Sequence, residues 1–183
     1  PKINERETVI DVLGKSSSEG EASYDGSIVF NVPLVEDKLA ARFVAFKAKD
    51  GGFIDNVLGK TITNDLKSDA TYGRSPSGWG TIDNSDVVAD DINDYNVQGW
   101  RAAVKWDINE AWSGTLTHIN QTSTSGSYSG FDPNVGDLET IRYNKEFYDV
   151  DYDISSLVVE GDLGFAQLVS ATSYYNSDSE FNQ

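Results

Sequence analysis

Few side chains in this sequence are equipped for covalent chemistry, and more are equipped to hold a ligand. The 183 residues include one histidine and no cysteine. That histidine stands in Thr117-His118-Ile119-Asn120, a strand-like segment where an imidazole reads as a packed or lumenal polar residue rather than a catalyst. A serine hydrolase needs its serine at the centre of a nucleophile elbow, and Gly126-Ser127-Tyr128-Ser129-Gly130 has a tyrosine there. Among 30 Asp and Glu residues, no pair stands out as the acid and base of a glycosidase. No catalytic set is expected. Asp83, Asp86, Asp90, Asp91 and Asp94 offer the hard oxygens that calcium takes. Their spacing lacks the glycine and terminal glutamate of an EF-hand, so the cluster reads as a solvated acidic loop, with neither metal nor cofactor expected. Ligand capture fits better in Thr71-Tyr72-Gly73-Arg74-Ser75-Pro76-Ser77-Gly78-Trp79-Gly80. There Tyr72 and Trp79 can stack on a ligand and Arg74 can meet an anionic group, with Arg142 and Tyr143 joining from a later loop.

The elements that must position these residues follow a rhythm. Tight acidic turns at Pro33-Leu34-Val35-Glu36-Asp37-Lys38, Asp107-Ile108-Asn109-Glu110-Ala111 and Glu160-Gly161-Asp162-Leu163-Gly164 alternate with long polar stretches over 48–93 and 121–149. Short connections at one end and long ones at the other are the habit of an outer-membrane β-barrel. Between them, period-2 alternation predicts strands. Tyr24, Gly26, Ile28, Phe30 and Val32 share one face; Leu39, Ala41, Phe43 and Ala45 another; Gln98, Trp100, Ala102, Val104 and Trp106 a third. Arg42, Arg101 and Lys105 fall on the opposite faces. Further strands are predicted over 112–121, 151–161, 165–175 and 7–15, making about seven of about nine to eleven residues, the length that crosses a bilayer at a steep tilt. Phe43, Trp100 and Val104 are expected to face lipid, and the three cations a wet lumen. Trp106, Trp112 and Phe165 near the tight turns, and Tyr148, Tyr152, Tyr174 and Tyr175 towards the long loops, predict two aromatic girdles. Pro33 is expected to block ladder pairing and force its turn, and Gly51-Gly52 to allow a sharp exit from a strand.

Composition bounds the rest. A net charge of -16 leaves nothing to neutralise a polyanion, which argues against nucleic acid. No apolar run approaches the roughly 18 residues of a membrane helix. The mean hydropathy of -0.43 is compatible with alternating barrel strands, whose two faces average out. The absence of cysteine suits an envelope protein. With no methionine, no signal-like start and an odd, small strand number, residues 1–183 are expected to be part of the barrel of a longer protein.

Three segments carry a specific resemblance. Asn31-Val32-Pro33-Leu34, Asp37-Lys38-Leu39-Ala40-Ala41-Arg42 and Gly51-Gly52-Phe53-Ile54-Asp55-Asn56 follow one another as in the early barrel of TonB-dependent outer-membrane receptors. Asn93-Asp94-Tyr95 leading into Gly99-Trp100-Arg101-Ala102-Ala103-Val104-Lys105-Trp106 is similar to that family's G-x-R-x-x-x-x-W strand. Glu160-Gly161-Asp162-Leu163-Gly164-Phe165-Ala166-Gln167-Leu168-Val169-Ser170-Ala171-Thr172-Ser173-Tyr174 resembles its D-L-G-x-x-x-L-x-S-x-T-S-Y hairpin. The resemblance implies an all-β fold, an antiparallel transmembrane barrel spanning the Gram-negative outer membrane several times. It also implies active uptake of a scarce nutrient, such as a ferric siderophore, a cobalamin or a saccharide. The implied partners are outer-membrane lipid, the imported ligand, and the TonB–ExbB–ExbD machinery acting through a plug domain. Neither plug nor TonB box is visible in these residues. The alternative, from another class, is a soluble extracellular β-sandwich that binds carbohydrate through Trp79 and Tyr72.

Overall fold

The computed structural model describes residues 1–60 and 83–182. Its main element is one antiparallel sheet of seven strands: β1 (Glu7–Lys15), β2 (Ser23–Val35), β3 (Leu39–Asp50), β5 (Tyr95–Asn109), β6 (Trp112–Ser125), β8 (Phe147–Asp162) and β9 (Gln167–Asn182). They pair in the order β1-β2-β3-β5-β6-β8-β9, each with its neighbour in sequence. The two remaining strands, β4 (Asp55–Asn56) and β7 (Glu139–Thr140), pair in parallel in the loops. The protein is thus all-β, with a single 3-10 turn at Ser85–Val87 among the described residues. Among the described residues the sheet is open: β1 and β9 each have one strand partner. All seven expected strands form, and β1 has the expected bounds. Most others run longer, up to 16 residues in β8 and β9.

The tight turns lie where expected, at 36–38, 110–111 and 163–166, and all close the same end of the sheet. The opposite end carries the connections 16–22, 51–94 and 126–146. One local reading needs correction. Pro33 lies inside β2, paired with Ala40, and a register shift follows before Val35 meets Leu39. Pairing with β1 ends at Asn31, so Pro33 has a ladder neighbour on one side only, where a missing N–H is tolerated. Gly51 and Gly52 do follow the end of β3 at Asp50, and they do so without a left-handed backbone. Instead, a Cβ on Gly51 would collide with the Glu21 carbonyl and one on Gly52 with that of Asp91. These glycines are required by close backbone approach.

Register sorts the side chains into two faces. Phe43 stands opposite Phe30 and Ala102, Ala45 opposite Trp100, and Ala41 opposite Val104, while Arg42 stands opposite Ala103 and Arg101 opposite Val44. Phe43, Trp100 and Val104 therefore share one face, and Arg42, Arg101 and Lys105 the other, as the alternation predicted. The tryptophan face changes character along the strands. One cross-strand row reads Val32, Ala41, Val104, Leu116, Leu157, Thr172. Six residues further towards the long loops, the row reads Gly26, Lys47, Gln98, Thr122, Asp151, Asp178. Trp106 and Trp100 bracket the apolar zone on β5, six residues or roughly 20 Å apart along a strand.

The girdle of four tyrosines does not form. Tyr148 pairs with Phe181 and Tyr152 with Tyr175 on the arginine face, and only Tyr174 lies on the tryptophan face. Strand parity decides this: Tyr174 and Tyr175 are consecutive and must point to opposite sides. Buried apolar residues are few among those described, namely Ala40, Ile54 and Ala103. On the tryptophan face Ile10, Val12, Phe30, Phe43, Trp106, Leu116, Leu157 and Tyr174 are all exposed. No helix among the described residues is long and apolar enough to cross a membrane.

Candidate functional site

The long connections build a compact cap at the loop end, and buried asparagines hold it together. A strand-exit segment has many backbone groups and few ladder partners, and an amide side chain can serve a donor and an acceptor at once. Asn93 Oδ1 accepts the N–H groups of Phe53 at 2.7 Å and Ile54 at 2.9 Å, fixing the turn after Gly51-Gly52. Asn84 Oδ1 accepts the Gly59 N–H at 2.7 Å, and its Nδ2 donates to the carbonyls of Val57 at 2.8 Å and Arg142 at 3.1 Å. Asn56 Oδ1 accepts the Arg142 N–H at 2.7 Å while its Nδ2 donates to Val87 O at 2.7 Å and Arg142 O at 3.1 Å. These three asparagines are buried, alongside Ile54 and Thr140. The backbone of Arg142 is therefore clamped by two loop segments far away in sequence.

Of the ligand candidates, Tyr72, Arg74 and Trp79 lie outside the described residues; Arg142 lies within them. Its guanidinium is half-committed: Nη1 lies 3.5 Å from Glu146 Oε1, and Nη2 donates to Gly130 O at 3.4 Å. Its Nε is buried without a hydrogen-bond partner among the described residues. Beside it lies a wide, open cleft of about 550 Å³ lined by Tyr128, Phe131, Asp132, Ile141, Arg142 and Tyr143. Tyr128 is 77% exposed, and Phe131 and Tyr143 are also exposed. No stacked or tilted ring pair among the described residues involves any of the three. Residues 60 and 83 bridge one another at the root of the undescribed segment, and Gly59 abuts the Ile141 side chain. Tyr143 was read from the sequence as a companion of Arg142. Tyr128 and Phe131 were missed, because nothing in one loop's composition tells which of its rings stay uncovered.

Of the acidic candidates, Asp86, Asp90, Asp91 and Asp94 line one cleft at the loop end, and Asp83 lies outside it. Asp83 turns back on its own loop, accepting from the Ser85 hydroxyl at 2.7 Å and the Ser85 N–H at 3.2 Å, which hold its carboxyl below the ordinary aspartate range. Asp91 is pushed the other way, first by desolvation and then by the carboxylates of Asp55, Glu21 and Asp90. Among the described residues no three or more His, Cys, Asp or Glu side chains group to hold a metal ion.

His118 has neighbours that no local motif announced. Its Nδ1 lies 2.8 Å from Ser155 Oγ and its Nε2 lies 3.6 Å from Asp153 Oδ1, with the Trp100 ring tilted against it at 5.1 Å. The residue types match a hydrolase triad. The setting does not, since all three sit on an exposed sheet face between paired strands, where the ladders take the backbone N–H groups that an oxyanion hole would need.

The arginine face holds a second polar feature. Asn31, almost fully buried, binds the segment before β1: its Oδ1 accepts the Lys2 N–H at 2.9 Å and its Nδ2 donates to Lys2 O at 2.8 Å and Glu5 O at 2.6 Å. Arg42 pairs with Glu7 at 2.7 Å. Arg101 has no ion-pair partner among the described residues, and Lys105 has only Asp107, at 3.5 Å. Compared with known proteins, the chain matches no family model, no curated protein and no solved structure.

Proposed function

We propose that this chain is part of the barrel wall of an outer-membrane receptor of the TonB-dependent kind, taking up a scarce nutrient across a Gram-negative outer membrane. The observation that carries the reading is the tryptophan face. A monomer in water covers such a surface with a second layer, because contiguous apolar patches beyond a few hundred Å² are rare on soluble proteins. Here strands β1 to β9 present aliphatic and aromatic side chains over one zone and polar ones above it. Among the described residues the other sheet is only the two-stranded β4–β7 pair in the cap, which weighs against a sandwich. Tight turns at one end, a structured loop cap at the other, and the three family-like segments in order support the same reading. On this proposal the plug, and through it contact with TonB–ExbB–ExbD, belong to the rest of the protein.

The test uses the four tryptophans as depth probes. The protein carrying this chain is reconstituted in vesicles of brominated phosphatidylcholine. Strong quenching of Trp100, Trp106 and Trp112, read from single-tryptophan variants, is the expected result. Emission quenched by aqueous acrylamide and untouched by bromolipid would end the membrane reading. Intact mass of the native protein, with peptide sequencing, tests the family assignment: plug peptides in a mass well above 20.0 kDa are expected.

A further inference from the structure

We infer that the cleft beside Arg142 binds a neutral saccharide rather than an anionic metal chelate. The inference deepens the uptake reading by naming its ligand class, and rests on that reading only for the fate of the ligand. Three observations carry it. First, Tyr128, Phe131 and Tyr143 line the cleft with rings that are exposed and unpaired with other rings. A pyranose offers an apolar face of C–H groups that packs on such rings, and the tyrosine hydroxyls add polar handles at the edge.

Second, the charge in the cleft offers an anion little. Its ionic lining residues are Asp132 and Arg142, the arginine faces Glu146 at 3.5 Å, and only its buried Nε is left without a partner among the described residues. At a net charge of -16, the long-range field also repels an anionic chelate.

Third, Asp132 is placed to read hydroxyls. Its Oδ1 accepts from the Asn134 N–H and Nδ2, both at 2.9 Å, and Oδ2 accepts no hydrogen bond among the described residues. A carboxylate fixed in this way takes a sugar hydroxyl without needing a compensating cation.

The cleft is shaped by Gly130. A methyl group there would come within 2.7 Å of Tyr128 Cε1, so the ring lies directly over the glycine. Gly130→Ala displaces the ring without removing any contact atom, which separates ring position from ring presence.

The experiment is calorimetric titration of the whole protein, in detergent micelles, with maltoheptaose, cellohexaose, xylohexaose and, for comparison, a ferric tricatecholate. At least one neutral oligosaccharide is expected to bind, with affinity unchanged between 50 mM and roughly 500 mM salt because no charge pairing is involved. Tyr128→Ala and Tyr143→Ala are expected to weaken it about tenfold or more, and Gly130→Ala to weaken it measurably while circular dichroism is unchanged. Binding of none of the three sugars, or binding of the tricatecholate with affinity that collapses in salt, overturns the inference. Bromolipid quenching on the same samples reads the membrane proposal separately, so failure of one is not mistaken for failure of the other.

Discussion

Asn84 shows how much of this molecule's order depends on single amides. Its side chain serves the Gly59 N–H and the carbonyls of Val57 and Arg142, all in segments without long ladders. Asn84→Ala leaves those groups unsatisfied in a buried place, and cap opening should become easier by roughly 2–4 kcal/mol. Hydrogen exchange checks this: amides of 55–59 and 139–142 should lose protection while those of β5 and β6 keep theirs. Uniform loss across both would mean that Asn84 supports the whole sheet. Residue-scale chemistry was the least legible part of the sequence. Arg142 was recognisable as a cation near an aromatic, yet its backbone clamp by Asn56 and Asn84 depends on contacts 86 and 58 residues away. His118 is a strand residue as expected, but it stands opposite Ala102 on the tryptophan face rather than on the arginine face of a lumen, and its serine and aspartate neighbours come from β8, 37 and roughly 35 positions later, through pairing alone.

At the scale of elements, alternation did most of the predicting. Strands β2, β3 and β5 were readable because one face is free of charge over at least four successive alternate positions, and a one-residue slip would invert it. Their upper halves were not foreseen. Beyond His118, β6 is polar apart from Ile119, and beyond Ser155 the alternation of β8 inverts, with Ile154, Tyr152, Val150 and Tyr148 on the arginine face and aspartates on the other, so the apolar-face signal is lost although the ladder continues to Ser125 and Tyr148. Pro33 was misplaced for a related reason: the local rule says that proline ends pairing, and only the end of β1 at Glu7 makes its position tolerable. The contrast between faces yields a test. Val104 lies between Trp100 and Trp106 on the apolar zone, whereas Lys105 next to it points to the other side. Val104→Arg should cost about 2–4 kcal/mol in urea titrations of the lipid-inserted protein. Lys105→Met should stay within about 0.5 kcal/mol, since its Asp107 contact is long and partly exposed. Equal, small effects for both would mean that neither face meets lipid.

For the molecule as a whole, the two open edges dominate. All sixteen residues of β9 are exposed, as are most of β1, and each edge presents unpaired backbone groups. Edges this long invite pairing with other chains. In detergent-free buffer the isolated 183-residue chain should therefore self-associate, seen by sedimentation velocity as concentration-dependent large species, and detergent should shift the distribution to smaller ones. A monodisperse monomer in plain buffer would contradict the exposed edges and the apolar face together. The open sheet also explains why strand number, but not closure, could be read from the sequence: closure depends on residues that would pair with β1 and β9.

The pairing order itself has a kinetic side. Every strand of the main sheet pairs with its sequence neighbours, and none waits for a partner made much later. The three hairpins with tight turns, β2–β3, β5–β6 and β8–β9, are the cheapest loops to close, while the connections 51–94 and 126–146 cost more entropy. The sheet can therefore grow as preformed hairpins docking one after another, with the long connections closing last, so that the cap becomes a late record of correct assembly below it.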